Sequence, residues 1–188
     1  GAFAGEPRQT PLVARLTAAV APVPVEVGGG LRTLEAIEAA LEAGARWAVV
    51  GTRAALDRDF LRDACRVHGK RIIVAVDARG GRVAVKGWTE TVDEAVADVA
   101  RRALEAGAGA LLYTDVTRDG TGLGPNVEET AALARAVRLP VLASGGVGRL
   151  DDLRRLAAVE GVEGCVVGRA LYTGAIDLAQ ALQTLAHA

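Results

Sequence analysis

The chain has 188 residues, 51% of them hydrophobic but only 3% aromatic, and a formal net charge of −1. That length fits one domain with a sizeable core, and the near-neutral charge weighs against nucleic acid or an anionic membrane as the main partner. No apolar run approaches the roughly 18 residues of a membrane helix and no signal peptide is visible, so a cytoplasmic protein is expected.

Thr10-Pro11 predicts a helix entry, followed by Leu12, Val13, Leu16, Ala19 and Val20 at helical spacing. Pro22 and Pro24 end it, and Val23 to Val27 reads as a strand. Thr33 caps a helix with Leu34, Ile37 and Leu41 on one face and Gly44 at its exit. Ala48 to Val50 is a buried strand, and Asp57 caps a helix that ends at Gly69. Ile72 to Val76 is the clearest strand, stopping at Asp77. After a Gly-rich excursion, Thr91 and Glu94 form a capping box for a helix through Val92, Val96, Val99 and Ala103. Then come the strand Ala110 to Tyr113, a polar loop to Asn126, a helix ending near Val137, and the strand Val141 to Ala143. A helix from about Asp151 to Ala158, the strand Cys165 to Val167 and a helix from about Ala175 to Leu185 complete the chain.

Six apolar strands alternating with seven helices predict a parallel sheet covered by helices. Glycine and polar residues follow every strand, which favours a barrel with its site at the C-terminal strand ends over a doubly wound sheet. A barrel of eight strands needs roughly 200 residues or more, so this chain is expected to lack the first two strands. It contains no Met, and Gly1-Ala2-Phe3-Ala4-Gly5 reads as loop, which points to N-terminal truncation. Residues 1–188 are then a single incomplete (βα)8 domain.

Two stretches, 23–54 and 139–171, repeat one pattern: proline, apolar strand, glycine turn, helix, then Val-Val-Gly. Gly28-Gly29-Gly30 and Ser144-Gly145-Gly146 let backbone N–H groups approach an anion, each ahead of a helix. Gly51-Thr52 and Gly168-Arg169 follow one strand later and complete each cradle. A single glycine turn of this kind is as often a plain strand-to-helix connection. Two matched pairs at nearly equal spacing point to a substrate with two phosphates.

Asp77 at an apolar strand mouth is placed for general acid or base work, although a turn-capping Asp looks the same in sequence. Thr114 is the better ligand contact on the neighbouring strand, and Asp119-Gly120 is ordinary turn chemistry. Trp88 in a polar loop can stack on a flat heterocycle, whereas Trp47 reads as packing. Arg79 and Lys86 offer positive charge, solvation being the default. His68 and His187 lie at helix ends and carry no assignment. Cys65 and Cys165 are isolated, with no metal-ligand spacing, and read as reduced thiols.

Val27 to Arg32, Val76 to Gly81, Lys86-Gly87-Trp88, Thr114-Asp115 with Arg118 to Thr121, Ala143 to Val147 and Val167 to Tyr172 together resemble the isomerase family of histidine biosynthesis. The resemblance runs from Gly1 to the C-terminus. It implies a two-fold symmetric (βα)8 barrel that binds a bis-phosphorylated ribotide and performs an Amadori rearrangement, aminoaldose to aminoketose, without cofactor or metal. It implies Asp77 as the general acid, with Gly29, Gly30, Arg32, Gly51, Thr52, Arg79, Trp88, Thr114, Asp119, Ser144, Gly145, Gly146, Gly168 and Arg169 at the substrate. The family's base, an Asp ending the first strand in an Ile-Asp context near the N-terminus, has no counterpart here, so this chain alone is expected to be inactive. A monomer is expected for the complete protein. The rival readings are the cyclase subunit of imidazole glycerol phosphate synthase, an isomerase that also takes phosphoribosylanthranilate, another phosphate-binding barrel, and a silent fragment that still binds phosphate.

Overall fold

A computed structural model describes residues 10–85 and 87–186. The segment Gly1 to Gly5, Lys86 and His187 lie outside the described residues. The elements in chain order are α1 (Thr10–Val20), β1 (Glu26–Gly28), α2 (Leu34–Glu42), β2 (Trp47–Val50), α3 (Thr52–Leu56), α4 (Arg58–His68), β3 (Ile72–Arg79), β4 (Arg82–Val85) and β5 (Glu90–Ala95). They continue with α5 (Val96–Ala106), β6 (Ala110–Asp115), α6 (Val127–Ala136), β7 (Val141–Ser144), α7 (Leu150–Ala157), β8 (Val162–Cys165), α8 (Arg169–Tyr172) and α9 (Leu178–Ala186).

Six strands pair in parallel in the order β1-β2-β3-β6-β7-β8. This is the α/β arrangement expected from strands that alternate with amphipathic helices. Positions such as Ala48, Ile72, Val74, Leu111 and Val141 are buried under the helices. Burying one such Val, Ile or Leu contributes about 1.5–3 kcal/mol. The alternate positions line a shared hollow: Glu26, Trp47, Ile73, Ala110, Leu142 and Gly164, one from each parallel strand, border a single cavity of about 530 Å³. A flat sheet cannot bring its first and last strands to one cavity, so the ladder is curled into a partial barrel. Among the described residues no helix is long and apolar enough to cross a membrane.

Local chemistry sets the helix starts. Thr33 accepts from the Ala36 amide at 3.2 Å, Asp57 from Phe60 at 2.9 Å and Asn126 from Glu129 at 3.2 Å, caps worth about 1 kcal/mol each. Two expectations fail. Thr91 and Glu94 do not open a helix, because residues 90–95 form β5, antiparallel to β4, and α5 begins at Val96. The Gly-rich excursion is this hairpin, and pairing with β4 takes up the backbone groups that a capping box would have engaged. The last strand runs from Val162 to Cys165, so Val166 and Val167 belong to the loop beyond it. Beyond these, Gly51-Thr52 and Gly168-Arg169 open two short helices, α3 and α8, that apolar periodicity is too brief to reveal.

Candidate active site

The register of the parallel ladder builds the first part of the site. Asp77 on β3 is level with Thr114 on β6, and Thr114 is level with Ser144 on β7. Three polar side chains therefore form one row across the C-terminal ends of three adjacent strands, where the apolar sequence of each strand stops. Thr114 is buried, at 6% exposure.

Trp88 closes over this row. Its indole Nε1–H donates to Asp77 Oδ2 at 2.8 Å. Its amide donates to the Val85 carbonyl at 3.0 Å, and its own carbonyl accepts from Arg79 Nη2 at 3.3 Å. Trp88 pays for this position with a left-handed backbone, φ +72°, the only non-glycine residue with positive φ among those described. That conformation costs on the order of 1 kcal/mol or more and persists only when neighbours over-determine it.

Burial pushes the Asp77 carboxyl above the ordinary carboxylate range. The hydrogen bonds from Trp88 and Thr114 pull the other way, and the negative charge of Asp119 adds to the rise. The result is a carboxyl that holds its proton to a higher pH than a solvated Asp and can donate it. Asp115, one residue beyond Thr114, is different. Its burial opposes ionisation, but Thr117 amide and hydroxyl (2.9 and 2.6 Å) and Asn126 Nδ2 (2.7 Å) donate to it. These hold its carboxyl below the ordinary range, and the side chain serves to fold the loop that carries Asp119.

The second glycine turn lies beside Asp119 and Arg169. Asp119, Ser144, Gly145, Gly146, Gly168 and Arg169 line one cavity of about 520 Å³. Gly145 and Gly146 have φ of +91° and +85°, and a Cβ on either would lie 2.6 Å from the Asp115 carbonyl oxygen or 2.4 Å from that of Gly124. The Arg169 guanidinium crosses the cradle rim, Nη1 donating to the Gly120 carbonyl at 2.7 Å. Sequence reading missed Asp152. It is 1% exposed, and its Oδ2 accepts from the Gly148 and Arg149 amides, both at 3.0 Å, so it fixes the turn that follows the glycines. Its signal was an acid at the third position of a helix after a glycine turn, half of a capping box.

The first cradle has the same backbone. Gly29 and Gly30 have φ of +103° and +81°, and Gly28 pairs with Val49, which brings the turn beside Gly51 at the end of the next strand. Gly51 caps α3 with φ −111° and ψ −118°, and Gly168 caps α8 with φ −96° and ψ −102°. Thr52 is the first residue of α3, and Arg32 is exposed in the loop before α2. Gly51 is 3.9 Å, measured from an added Cβ, from Ala75, two residues before Asp77 on β3. The first cradle thus borders the strand of Asp77 on one side, and the second reaches it through Ser144, Thr114 and Asp119.

Comparison with known proteins bears on the family of the chain. The family described as histidine biosynthesis protein matches residues 1–177. A protein of Rhodospirillum rubrum is 50% identical over 188 residues, covering 99% of this chain and 78% of its own length. One from Jannaschia sp. is 48% identical over 186 residues (99% and 78%), and one from Thioalkalivibrio sulfidiphilus 46% over 183 (96% and 76%). All three are named as isomerases of an imidazole-4-carboxamide bearing two 5-phosphoribosyl groups. With a family match across nearly its whole length and relatives at this identity, the chain belongs to the histidine biosynthesis protein family.

Proposed function

We propose that the chain is an aldose–ketose isomerase of histidine biosynthesis that performs an Amadori rearrangement on an imidazole carboxamide carrying two phosphoribosyl groups. The names of its relatives support this reading. The observation that carries it is the Asp77 carboxyl, raised by burial, in contact with Trp88 and flanked by two glycine-lined turns of matching geometry. The matching turns also support the finer fold assignment, a (βα)8 barrel with an internal two-fold repeat.

The chemistry is a sequence of proton transfers. Protonating the ribosyl ring oxygen breaks its bond to C1 and opens the ring to a Schiff base. Loss of the C2 proton gives an enolamine, which becomes the aminoketose when C1 is protonated. The oxidation at C2 and the reduction at C1 balance within the substrate, so no external electron carrier takes part. Asp77 is the proton donor for ring opening. Thr114 holds its carboxyl in place, and Trp88 stacks on the flat carboxamide heterocycle once the ligand displaces it from Asp77. Gly29, Gly30, Arg32, Gly51 and Thr52 hold one phosphate, and Ser144, Gly145, Gly146, Gly168 and Arg169 the other, with Arg79 and Asp119 at the rim. Backbone N–H groups freed of Cβ interference supply most of that grip. The proton acceptor for C2 has no matched position in this sequence.

The test is turnover of the bis-phosphorylated ribotide in an assay coupled to the enzyme that consumes the aminoketose. Turnover is expected where the C2 acceptor is supplied along with this chain, and Asp77→Asn should then lower it by about 10²–10⁴-fold. Full turnover by Asp77→Asn would remove the assignment.

A further inference from the structure

Arg102 on α5 touches two segments that build the site. Its Nη2 donates to the Ala55 carbonyl at 2.9 Å and lies 2.6 Å from Glu94 Oε1. Ala55 is in the last turn of α3, where a helix leaves carbonyls without intrahelical partners. Arg102 caps that end, while Gly51 of the first cradle caps the other. Glu94 belongs to the hairpin whose loop carries Trp88. It sits where β5 bulges: Thr91 pairs with Ala84 and Ala95 with Arg82, so residues 92–94 oppose Val83 alone. Bulges re-aim side chains, and here the bulge brings Glu94 against Arg102.

The ion pair is shielded, the side chains being 14% and 23% exposed, and Arg102 Nε is buried without an acceptor. A buried unsatisfied donor is a stability cost that calls for a reason. The reason is in what the guanidinium connects. α3 packs on α4 and β3, the hairpin packs on β3 and α5, and Arg102 joins the two directly.

We propose that Arg102 is a positioning residue that locks the Gly51-Thr52 turn to the Trp88 hairpin, so that one brace sets both the grip on one phosphate and the cover over Asp77. Without it, substrate binding must order the two segments separately, and that ordering is subtracted from affinity.

Hydrogen exchange on the full chain, read by mass spectrometry, tests the brace without relying on turnover. In Arg102→Met, amides of residues 52–56 and 82–95 should exchange faster together, while 110–115 and 141–144 keep their protection. Both contacts run through the single Nη2 nitrogen, so Arg102→Lys, whose ammonium carries three donors, should restore part of the protection in both segments together. Faster exchange in only one segment of Arg102→Met, or uniformly along the chain, overturns the proposal. The kinetic arm rests on the isomerase reading: KM should rise about tenfold, equivalent to about 1.4 kcal/mol, with kcat within about twofold. An unchanged KM with a lowered melting temperature would make Arg102 merely structural. If Asp77→Asn keeps full turnover with the C2 acceptor supplied, the isomerase reading fails and the exchange pattern still decides the brace.

Discussion

The indole N–H of Trp88 donates to Asp77 Oδ2 at 2.8 Å from a residue held at φ +72°. This bond favours the ionised carboxylate, whereas ring opening needs the acid. This contact therefore works against the chemistry, and the strained backbone gives the loop a reason to leave when substrate competes for the indole. Trp88→Phe removes a bond that lowers the Asp77 pKa. The group then keeps its proton to higher pH, and the falling limb of the kcat/KM profile should move to higher pH, as read by a pH–rate titration.

Asp119→Asn should move the same limb the other way. The Asp119 charge raises the Asp77 pKa, so neutralising it lets Asp77 ionise at lower pH and activity falls off earlier. Asp77→Asn should cost about 10²–10⁴ in kcat, the usual contribution of a positioned acid. A profile unmoved by Asp119→Asn would separate the two carboxyls.

The second cradle predicts a graded glycine series. Gly146→Ala puts a Cβ at 2.4 Å from the Gly124 carbonyl oxygen, and Gly145→Ala at 2.6 Å from that of Asp115, both at positive φ. Each should lower stability by about 1–3 kcal/mol and weaken inorganic phosphate binding measured calorimetrically. Gly120→Ala shares the positive φ, but its Cβ meets nothing within 4 Å, so only the backbone cost of about 1 kcal/mol applies.

Asp115 ties pH to stability. Burial disfavours its charge, but the Thr117 and Asn126 hydrogen bonds outweigh that and its folded pKa lies below the unfolded one. Its contribution is therefore complete above the unfolded value, about 3.9, and is lost as pH falls through the folded one. Asp115→Asn should lower stability by about 1.5–3 kcal/mol at neutral pH and flatten the acid side of the stability curve, measured by urea denaturation at several pH values.

The six parallel strands, the caps at Thr33 and Asp57, and the two glycine turns were legible because each is written locally, in a run of apolar residues, a glycine pair or one capping side chain. Asp77, Thr114 and Ser144 were legible as strand ends, but not as a row, since register is set by pairing between segments far apart in sequence. The β4–β5 hairpin was missed for the same reason: Thr91 and Glu94 satisfy a helix-start pattern, and only the partner strand Arg82–Val85 decides against it. Asp152 left only half of a capping box as its signal, and Arg102 left none, because its importance lies in a backbone carbonyl and a hairpin carboxylate that no local pattern links to it.

The row of Asp77, Thr114 and Ser144 has a consequence for folding quality. Side chains alternate along a strand with a period of two, so a two-residue slip of β6 along β3 would return inward residues to inward positions and leave the packing against the helices nearly intact. The same slip would set Leu112 or Val116 beside Asp77 instead of Thr114. A misregistered molecule could thus melt and scatter like the native one yet be catalytically dead. Specific activity, rather than melting temperature, is then the measure that certifies a preparation of this protein as correctly folded.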